Sequence, residues 1–325
     1  MIRLSPGTNA GEAVRAAVMD GGERPAYGEF AEPQAAAGAR VVEMCAAALT
    51  GLDRNIARRL HYFNMPDGPF VVGREGVARD GDKRIYFNVN APVGPFGSMA
   101  ERALINPKFS FAVPDGVADD VAAALGNAGL AAWLALSWRA RMRRGETVLI
   151  LGATGISGLI AVTAARQLGA GRIVAAGRNR EALARAKRLG ADATVELAPG
   201  SDLTAAYRAA AGGAVDVVVD FVFGAPGEAA LEVLALYGRH VHIGSMAGQN
   251  MTLRGAPIRR SCADVLGFAY YHPPIDVQAQ AYAELCRLAA AGEIAPDIET
   301  RPLAEIAAAW DARAEGNRRR QVLIP

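Results

Sequence analysis

The sequence predicts an α/β protein, a doubly wound parallel sheet joined to a β-rich domain, and three observations predict it. Residues 1 to about 112 are rich in Gly and Pro, with short β-type runs at 41–44, 70–72 and 84–87, each followed closely by Gly, Asn or Pro. From Pro114 the texture changes to apolar strands alternating with amphipathic, Ala-rich helices, the pattern of a parallel sheet. At mid-chain, TVLILGATGISGLIAV at 147–162 is a strand that breaks into glycines and opens a helix.

The elements follow in order. Residues 121–138, VAAALGNAGLAAWLALSW, approach spanning length, but Ala, Gly and a central Asn127 make a buried helix pair the expectation. Arg139, Arg141, Arg143 and Arg144 before Gly145 read as cations at a helix C-terminus with a capping glycine. Strands are expected at 147–151, 172–176, 193–196, 215–219 and 240–243, apolar enough to need helices on both faces. Helices are expected at 157–168, at 180–189 before Gly190, and at 228–237 before Gly238. The tail adds helices at 277–291 and 303–314 and an apolar run at 321–324.

Composition narrows the classes. The 325 residues carry 35 Lys+Arg and 33 Asp+Glu, a net charge of +2, so charge does not point to nucleic acid. At 51% hydrophobic and 21% charged residues the chain can bury a full core, which excludes disordered and collagen-like classes. Cys45, Cys262 and Cys286 lie too far apart for a disulfide framework, and the first ten residues lack the apolar run of a signal peptide. The expectation is a cytoplasmic protein without membrane or nucleic-acid partners.

The glycine segment carries the first functional reading. A pyrophosphate can lie against a helix N-terminus only where the turn is tight and no side chain intervenes; Gly152, Gly155 and Gly158 meet those needs, and free amides with the helix dipole attract the anion. The spacing is G-x-x-G-x-x-G, with Ala153 where G-x-G-x-x-G has its first glycine. Thr154, Ile156 and Ser157 complete the predicted cradle of a Rossmann-type dinucleotide site. An NAD-binding protein would place Asp or Glu after the second strand; here the segment is Gly177-Arg178-Asn179-Arg180. A guanidinium suits a 2′-phosphate, so the cofactor expected is NADPH, with Arg178 the favoured contact and Arg180 the second. Asn179 also suits a helix cap. Phe223, Ile243 and Ser245 sit at the other strand ends and are expected to line the same crevice.

With these parts in place, the chain resembles the medium-chain dehydrogenase/reductase superfamily, and within it the zinc-independent quinone oxidoreductases of the zeta-crystallin type. The stretches that carry the resemblance are 113–133 (VPDGVADDVAAALGNAGLAAW), 145–158 (GETVLILGATGISG), 188–195 (RLGADATV) and 288–317. The family motif before the helix is A-x-x-G-x-x-G, and Gly152 takes the alanine's place. The resemblance implies a GroES-like catalytic domain formed by residues 1–120 and 268–325, a Rossmann domain at 121–267, a cleft site and a homodimer. Zinc enzymes of the superfamily use a G-H-E histidine; here the segment is Gly73-Arg74-Glu75-Gly76, and arginine does not coordinate metal. No metal is expected, and Cys45 reads as a small buried hydrophobe.

Departures from the family bear on the substrate. The G-x-N-x-x-D segment near the nicotinamide corresponds to LTGLD at 49–53, with Thr50 for the asparagine, and Asn55 stands where a Tyr is often found. Ala131 replaces the threonine of the G-L-T-A turn. The leading expectation is hydride transfer from NADPH to a quinone or α,β-unsaturated carbonyl. Thr50, Asn55 and Tyr62 are candidate catalytic residues, and His61, Trp133, Tyr270 and Tyr271 candidate pocket residues. His61 could serve as a proton donor, though a satisfied structural histidine is the commoner outcome, and Tyr270-Tyr271-His272 reads as either a stacking platform or junction packing. The alternatives are reduction of a specialised biosynthetic intermediate such as an imine, or an NADPH-binding protein whose main role is recognition. Arg318, Arg319 and Arg320 are expected in solvent.

Overall fold

The computed structural model describes residues 13–58, 67–312 and 319–325. The chain divides into two compact units, residues 1–127 with 273–325 and residues 128–272.

The first unit begins with β1 (Ala13–Met19), β2 (Ala26–Ala31), β3 (Arg40–Ala48), α1 (Gly51–Ala57), β4 (Phe70–Val71), β5 (Gly76–Asp80), β6 (Lys83–Phe87), β7 (Arg102–Ile105) and β8 (Ser110–Ala112). A three-stranded sheet runs β2-β1-β4, and β3 pairs antiparallel with both β5 and β7. The expected runs at 41–44 and 84–87 are the inner parts of β3 and β6. Their Val42, Met44, Ile85 and Phe87 pack into one apolar cluster.

Helix α2 (Asp119–Leu134) follows and continues through a π-helical turn to Arg139. This corrects the expected helix pair: one helix runs through Asn127. Its 21 residues are long and apolar enough to cross a bilayer by length and composition, yet 72% of its most apolar 18-residue window is buried inside the protein. The helix stops at Arg141, which takes φ 50°, while Met142 N–H donates to the Leu136 carbonyl. Gly145, expected as the cap, instead shapes the entry to the next strand and donates to the Gly169 carbonyl.

The second unit holds β9 (Thr147–Leu151), α3 (Ile156–Gln167), β10 (Arg172–Gly177), α4 (Arg180–Arg188), β11 (Ala193–Glu196), α5 (Leu203–Ala211), β12 (Val215–Asp220), α6 (Gly224–Leu231), β13 (Leu234–His242), α7 (Gly255–Ser261) and β14 (Asp264–Gly267). The strands form one parallel sheet in the order β11-β10-β9-β12-β13-β14. Val148 to Leu151 and Val217 to Val219 are fully buried, as strands covered on both faces must be. The helix expected at 228–237 starts at Gly224 and ends at Leu231, and Leu234 already pairs with Val215 in β13. A register shift follows, with Tyr237 at φ 61° and Gly238 too crowded for a side chain. Gly238 therefore marks an irregular strand and not a helix end. Helices α5 and α7 and strand β14 had no sequence expectation.

The chain then returns to the first unit as α8 (Ile275–Ala290), β15 (Ile298–Pro302), α9 (Ile306–Ala312) and β16 (Arg320–Ile324). Strand β16 pairs parallel with β15 and antiparallel with β3, so both chain ends share one sheet. Tyr282 of α8 stacks on Tyr86 with ring centroids 4.7 Å apart, and its hydroxyl donates to the Ala122 carbonyl. Tyr86 donates to Glu75 at 2.6 Å, and a Cβ at Gly126 would lie 2.3 Å from the Tyr86 ring. Gly126 is small so that this aromatic stack can reach the helix.

Candidate functional site: the dinucleotide loop

Strand order reverses between β9 and β12, and in such sheets ligands bind outside the carboxyl ends of the strands at this point. The chain leaves β9 through Gly152, whose φ of 84° disfavours any side chain and whose Cβ would meet Val222 at 2.9 Å. Gly152 thus makes the sharp turn, which is why Ala153 is tolerated where the usual spacing has glycine. The Gly152 and Ala153 amides both donate to the Ala176 carbonyl, tying the turn to β10. Gly158 is required by packing, since a Cβ there would lie 2.3 Å from the Gly152 carbonyl oxygen.

Gly155 differs from both. It is the N-cap of α3 with φ −89° and ψ 167°, a conformation open to any residue, and a Cβ would touch only the Gly152 carbonyl oxygen at 3.6 Å. The fold does not ask for glycine there. No side chain caps α3, so the Ile156, Ser157 and Gly158 amides at its first turn are left for an anion. A cradle whose exposed centre is a glycine that only a ligand would require fits a pyrophosphate.

The end of β10 lies beside this cradle. Thr154 packs on Gly177, where a Cβ would be 2.3 Å from the threonine Cγ2. Arg178 is exposed and, among the described residues, has no hydrogen-bond or ion-pair partner. Arg180 instead pairs with Glu196 at 2.7 Å, and Asn179 caps α4 by accepting from the Ala182 amide. Of the two arginines, Arg178 is the one whose guanidinium is available to a phosphate.

The far side of the crevice is built on a buried polar pair that sequence reasoning missed. Asp220 ends β12 and is fully buried among Leu149, Leu151 and Val218. Its Oδ1 accepts from the Val222 and Phe223 amides at 2.9 and 2.8 Å, while Oδ2 accepts from His240 Nε2 at 2.8 Å. Phe223 sits at φ 59°, ψ −161°, a region that is essentially glycine's and costs about 1–3 kcal/mol elsewhere. Its ring lies 4.1 Å from that of His242. Burial holds the His242 imidazole below its ordinary pKa, against the pull of the Asp220 charge. The missed signal was the period of two: opposite Asp220 in the register is His242, and His240 two residues earlier shares that face. Ile243 donates its amide to the Asp220 carbonyl, and Ser245 follows, half-buried.

In the first unit, Thr50 is buried and caps α1. Its hydroxyl donates to Asp53 Oδ2 at 2.6 Å and accepts from the Asp53 amide. Burial pushes the Asp53 carboxyl up, and the Thr50 hydrogen bonds oppose that. Asn55 is exposed on the same helix, and His61 and Tyr62 lie outside the described residues. Arg74 donates through Nε and Nη2 to the Val89 carbonyl. Arg320, expected in solvent, is half-buried and donates to the Leu49 carbonyl, while Arg319 reaches Asp297 and Arg318 lies outside the described residues. Cys45 is half-buried, and burial raises its thiol pKa. In the second unit, Trp133 is buried on α2, Tyr270 is buried, and Tyr271 meets it edge-on at 5.4 Å.

The zinc-binding dehydrogenase family matches residues 157–290, a span that does not include Arg74. Quinone oxidoreductase-like protein 2 of Mus musculus is 31% identical over 205 residues, 59% of this chain and 57% of the relative. The phthioceranic/hydroxyphthioceranic acid synthase of Mycobacterium tuberculosis is 33% identical over 232 residues, 69% of this chain and 11% of that protein. The chain thus spans well under two thirds of these curated relatives. A solved structure of the quinone oxidoreductase from Thermus thermophilus, described also in complex with NADPH, superposes with a TM-score of 0.76 at 29% identity over 96% of this chain and 100% of that one. Fold and loop together define a Rossmann-type dinucleotide-binding protein with a β-rich partner domain. Over these spans the chain is similar to the zinc-binding dehydrogenase family and to quinone oxidoreductases, in keeping with the medium-chain dehydrogenase/reductase resemblance of its sequence.

Proposed function

We propose that the protein is an NADPH-dependent oxidoreductase that reduces a quinone or an α,β-unsaturated carbonyl without zinc. The observation that carries this reading is the open glycine cradle beside an Arg178 that has no partner among the described residues. The α3 amides would hold the pyrophosphate, and Arg178 the 2′-phosphate. Bound NADPH supplies a hydride equivalent at the nicotinamide. The chain's own part is to hold that nucleotide, with Thr154 packed on Gly177 and the Asp220-held turn forming the crevice wall. Thr50 has already committed its proton to Asp53, so its hydroxyl can accept but is a poor donor to a substrate oxygen. Trp133, Tyr270 and Tyr271 are proposed for the substrate side.

A homodimer is proposed as well. Among the described residues the outer edge of β14 has no strand partner, and Val265 on it is exposed. Sedimentation of wild type and Val265→Lys tests this: a dimer lost in the variant supports it, and a monomeric wild type refutes it.

The function is tested by titrating NADPH and NADH against wild type and Arg178→Ala, following nicotinamide fluorescence, then measuring NADPH consumption with 1,4-benzoquinone and a simple enone. The expected result is preference for NADPH that falls about tenfold or more in the variant. A protein that binds neither nucleotide refutes the reading.

A further inference from the structure

We propose that the buried Asp220–His240 pair is a positioning device of the dinucleotide site, holding the Val222–Phe223 turn in its glycine-like conformation and so fixing the crevice wall that faces Gly152. The inference rests on the nucleotide-binding function proposed above.

The argument starts from what the fold alone would choose. Asp220 and His240 are fully buried on the sheet face that otherwise presents Leu149, Leu151 and Val218. A carboxylate there is costly, and a purely structural layer is better served by apolar side chains of similar volume. The pair also demands room. At Gly227 in α6 a Cβ would lie 2.8 Å from both Asp220 Oδ2 and Met251 Sδ, so a helix interior position is given to glycine where the carboxylate and the Met251 side chain close in. A carboxylate only accepts, so His240 donates from Nε2, and its buried Nδ1 has no partner among the described residues. Three local rules are broken together, and such clusters belong to functional sites.

What the pair accomplishes is visible at Oδ1. It accepts the two consecutive amides of Val222 and Phe223, which turns the chain sharply after β12. Phe223 and Gly224 then both take positive φ, at 59° and 62°. Val222 is the residue against which a Cβ on Gly152 would collide, so the turn held by Asp220 abuts the phosphate loop directly. The Ala247 amide donates to the Val222 carbonyl at 2.7 Å, closing the turn from the β13 side. His240, by donating to Oδ2, orients the carboxylate so that Oδ1 faces the amides. Asp220 and His240 are positioning residues; the wall they set is Val222 and Phe223.

The test is a double-mutant cycle read by NADPH affinity and by amide hydrogen exchange across residues 221–224. Asp220→Ala is expected to weaken NADPH binding about tenfold and to speed exchange of the Val222 and Phe223 amides. Asp220→Asn retains an accepting oxygen and stays within about threefold of wild type. Phe223→Gly relaxes the conformation that Asp220 enforces, so in that background Asp220→Ala costs less than about threefold. The same loss in both backgrounds overturns the proposal, as does an Asn variant as weak as the Ala variant. If Asp220→Ala does not fold, His240→Gln, which retains a donor, is compared with His240→Leu; equal affinities overturn the proposal, and a weaker Leu variant supports it. Wild-type affinity in Asp220→Ala sinks this inference alone, whereas a wild type that binds no nucleotide sinks the reductase reading as well.

Discussion

Gly155→Ala separates a glycine required by the fold from one required by a ligand. At φ −89° and ψ 167° alanine is unstrained, and its Cβ would make one ordinary contact, 3.6 Å from the Gly152 carbonyl oxygen. Alanine is a poorer N-cap than glycine by about 0.5–1 kcal/mol. It also restricts the unfolded chain, returning about 0.4–1 kcal/mol. The two nearly cancel, so stability should change by no more than about 0.5 kcal/mol and Tm by about 2 °C. Binding should behave differently. A methyl at the exposed centre of the cradle keeps an anion from the Ile156 and Ser157 amides, and each charge-assisted bond lost is worth about 1.5–3 kcal/mol. Loss of one or two predicts NADPH affinity reduced by roughly 10- to 1,000-fold. Gly158→Ala is the control with the opposite signature. Its Cβ would lie 2.3 Å from the Gly152 oxygen and 2.5 Å from Ala153 Cα, both backbone atoms, so the cost falls on the fold, at about 3 kcal/mol or more. Calorimetry and fluorescence titration on the same samples read both effects. A Gly155→Ala protein that binds NADPH as tightly as wild type would falsify the assignment of this loop to a pyrophosphate.

Two further predictions concern what keeps the two units folded. Tyr86→Phe removes the donor at 2.6 Å from the buried Glu75 carboxylate and should cost about 1–3 kcal/mol by urea unfolding; an unchanged midpoint would show that the carboxylate does not depend on it. Glu146 is held below the ordinary carboxylate range: burial works against its charge, but hydrogen bonds from Arg239 and the Arg143 amide outweigh it. A lowered folded pKa means stability that is fully present above the unfolded value of about 4.3 and is lost as pH falls through the folded value. Glu146→Gln should therefore be less stable than wild type by about 1 kcal/mol at pH 7, a partly screened value, with the gap closing below about pH 4. A gap independent of pH would place the effect elsewhere.

The elements legible in the sequence were those with one dominant signal. Short runs dominated by aliphatic residues marked β9, β10 and β12, and their covered faces follow from a parallel sheet. The glycine cradle was legible because its chemistry is local: a turn, a close approach and a helix start lie within seven residues. The failures came where two periods agree with the same residues. Leu234 to Tyr237 is apolar and bounded by glycine, which suits a helix end, but pairing with Val215 drew it into β13, a tertiary preference no local pattern displays. Helix α5 was overlooked although Tyr207 and Ala211, four residues apart, give it one buried face, and α2 was split because Asn127 looked like a break in the run.

The Asp220 device shows a different limit. Phe223 read as a lining residue from its place after a strand, which says nothing of its backbone. The conformation it adopts contradicts its own side chain, and only a carboxylate two strand positions from one histidine and opposite another compensates. None of these residues is unusual alone; the information lies in the register between β12 and β13, which fixes which side chains share a face. A sequence reader who commits to the strand order gains that register, and with it Asp220, His240 and His242 on one face. Candidate positioning residues in sheets of this kind are thus best sought after the topology is assigned, among polar residues whose alternation places them under the loops that the motif alone identifies.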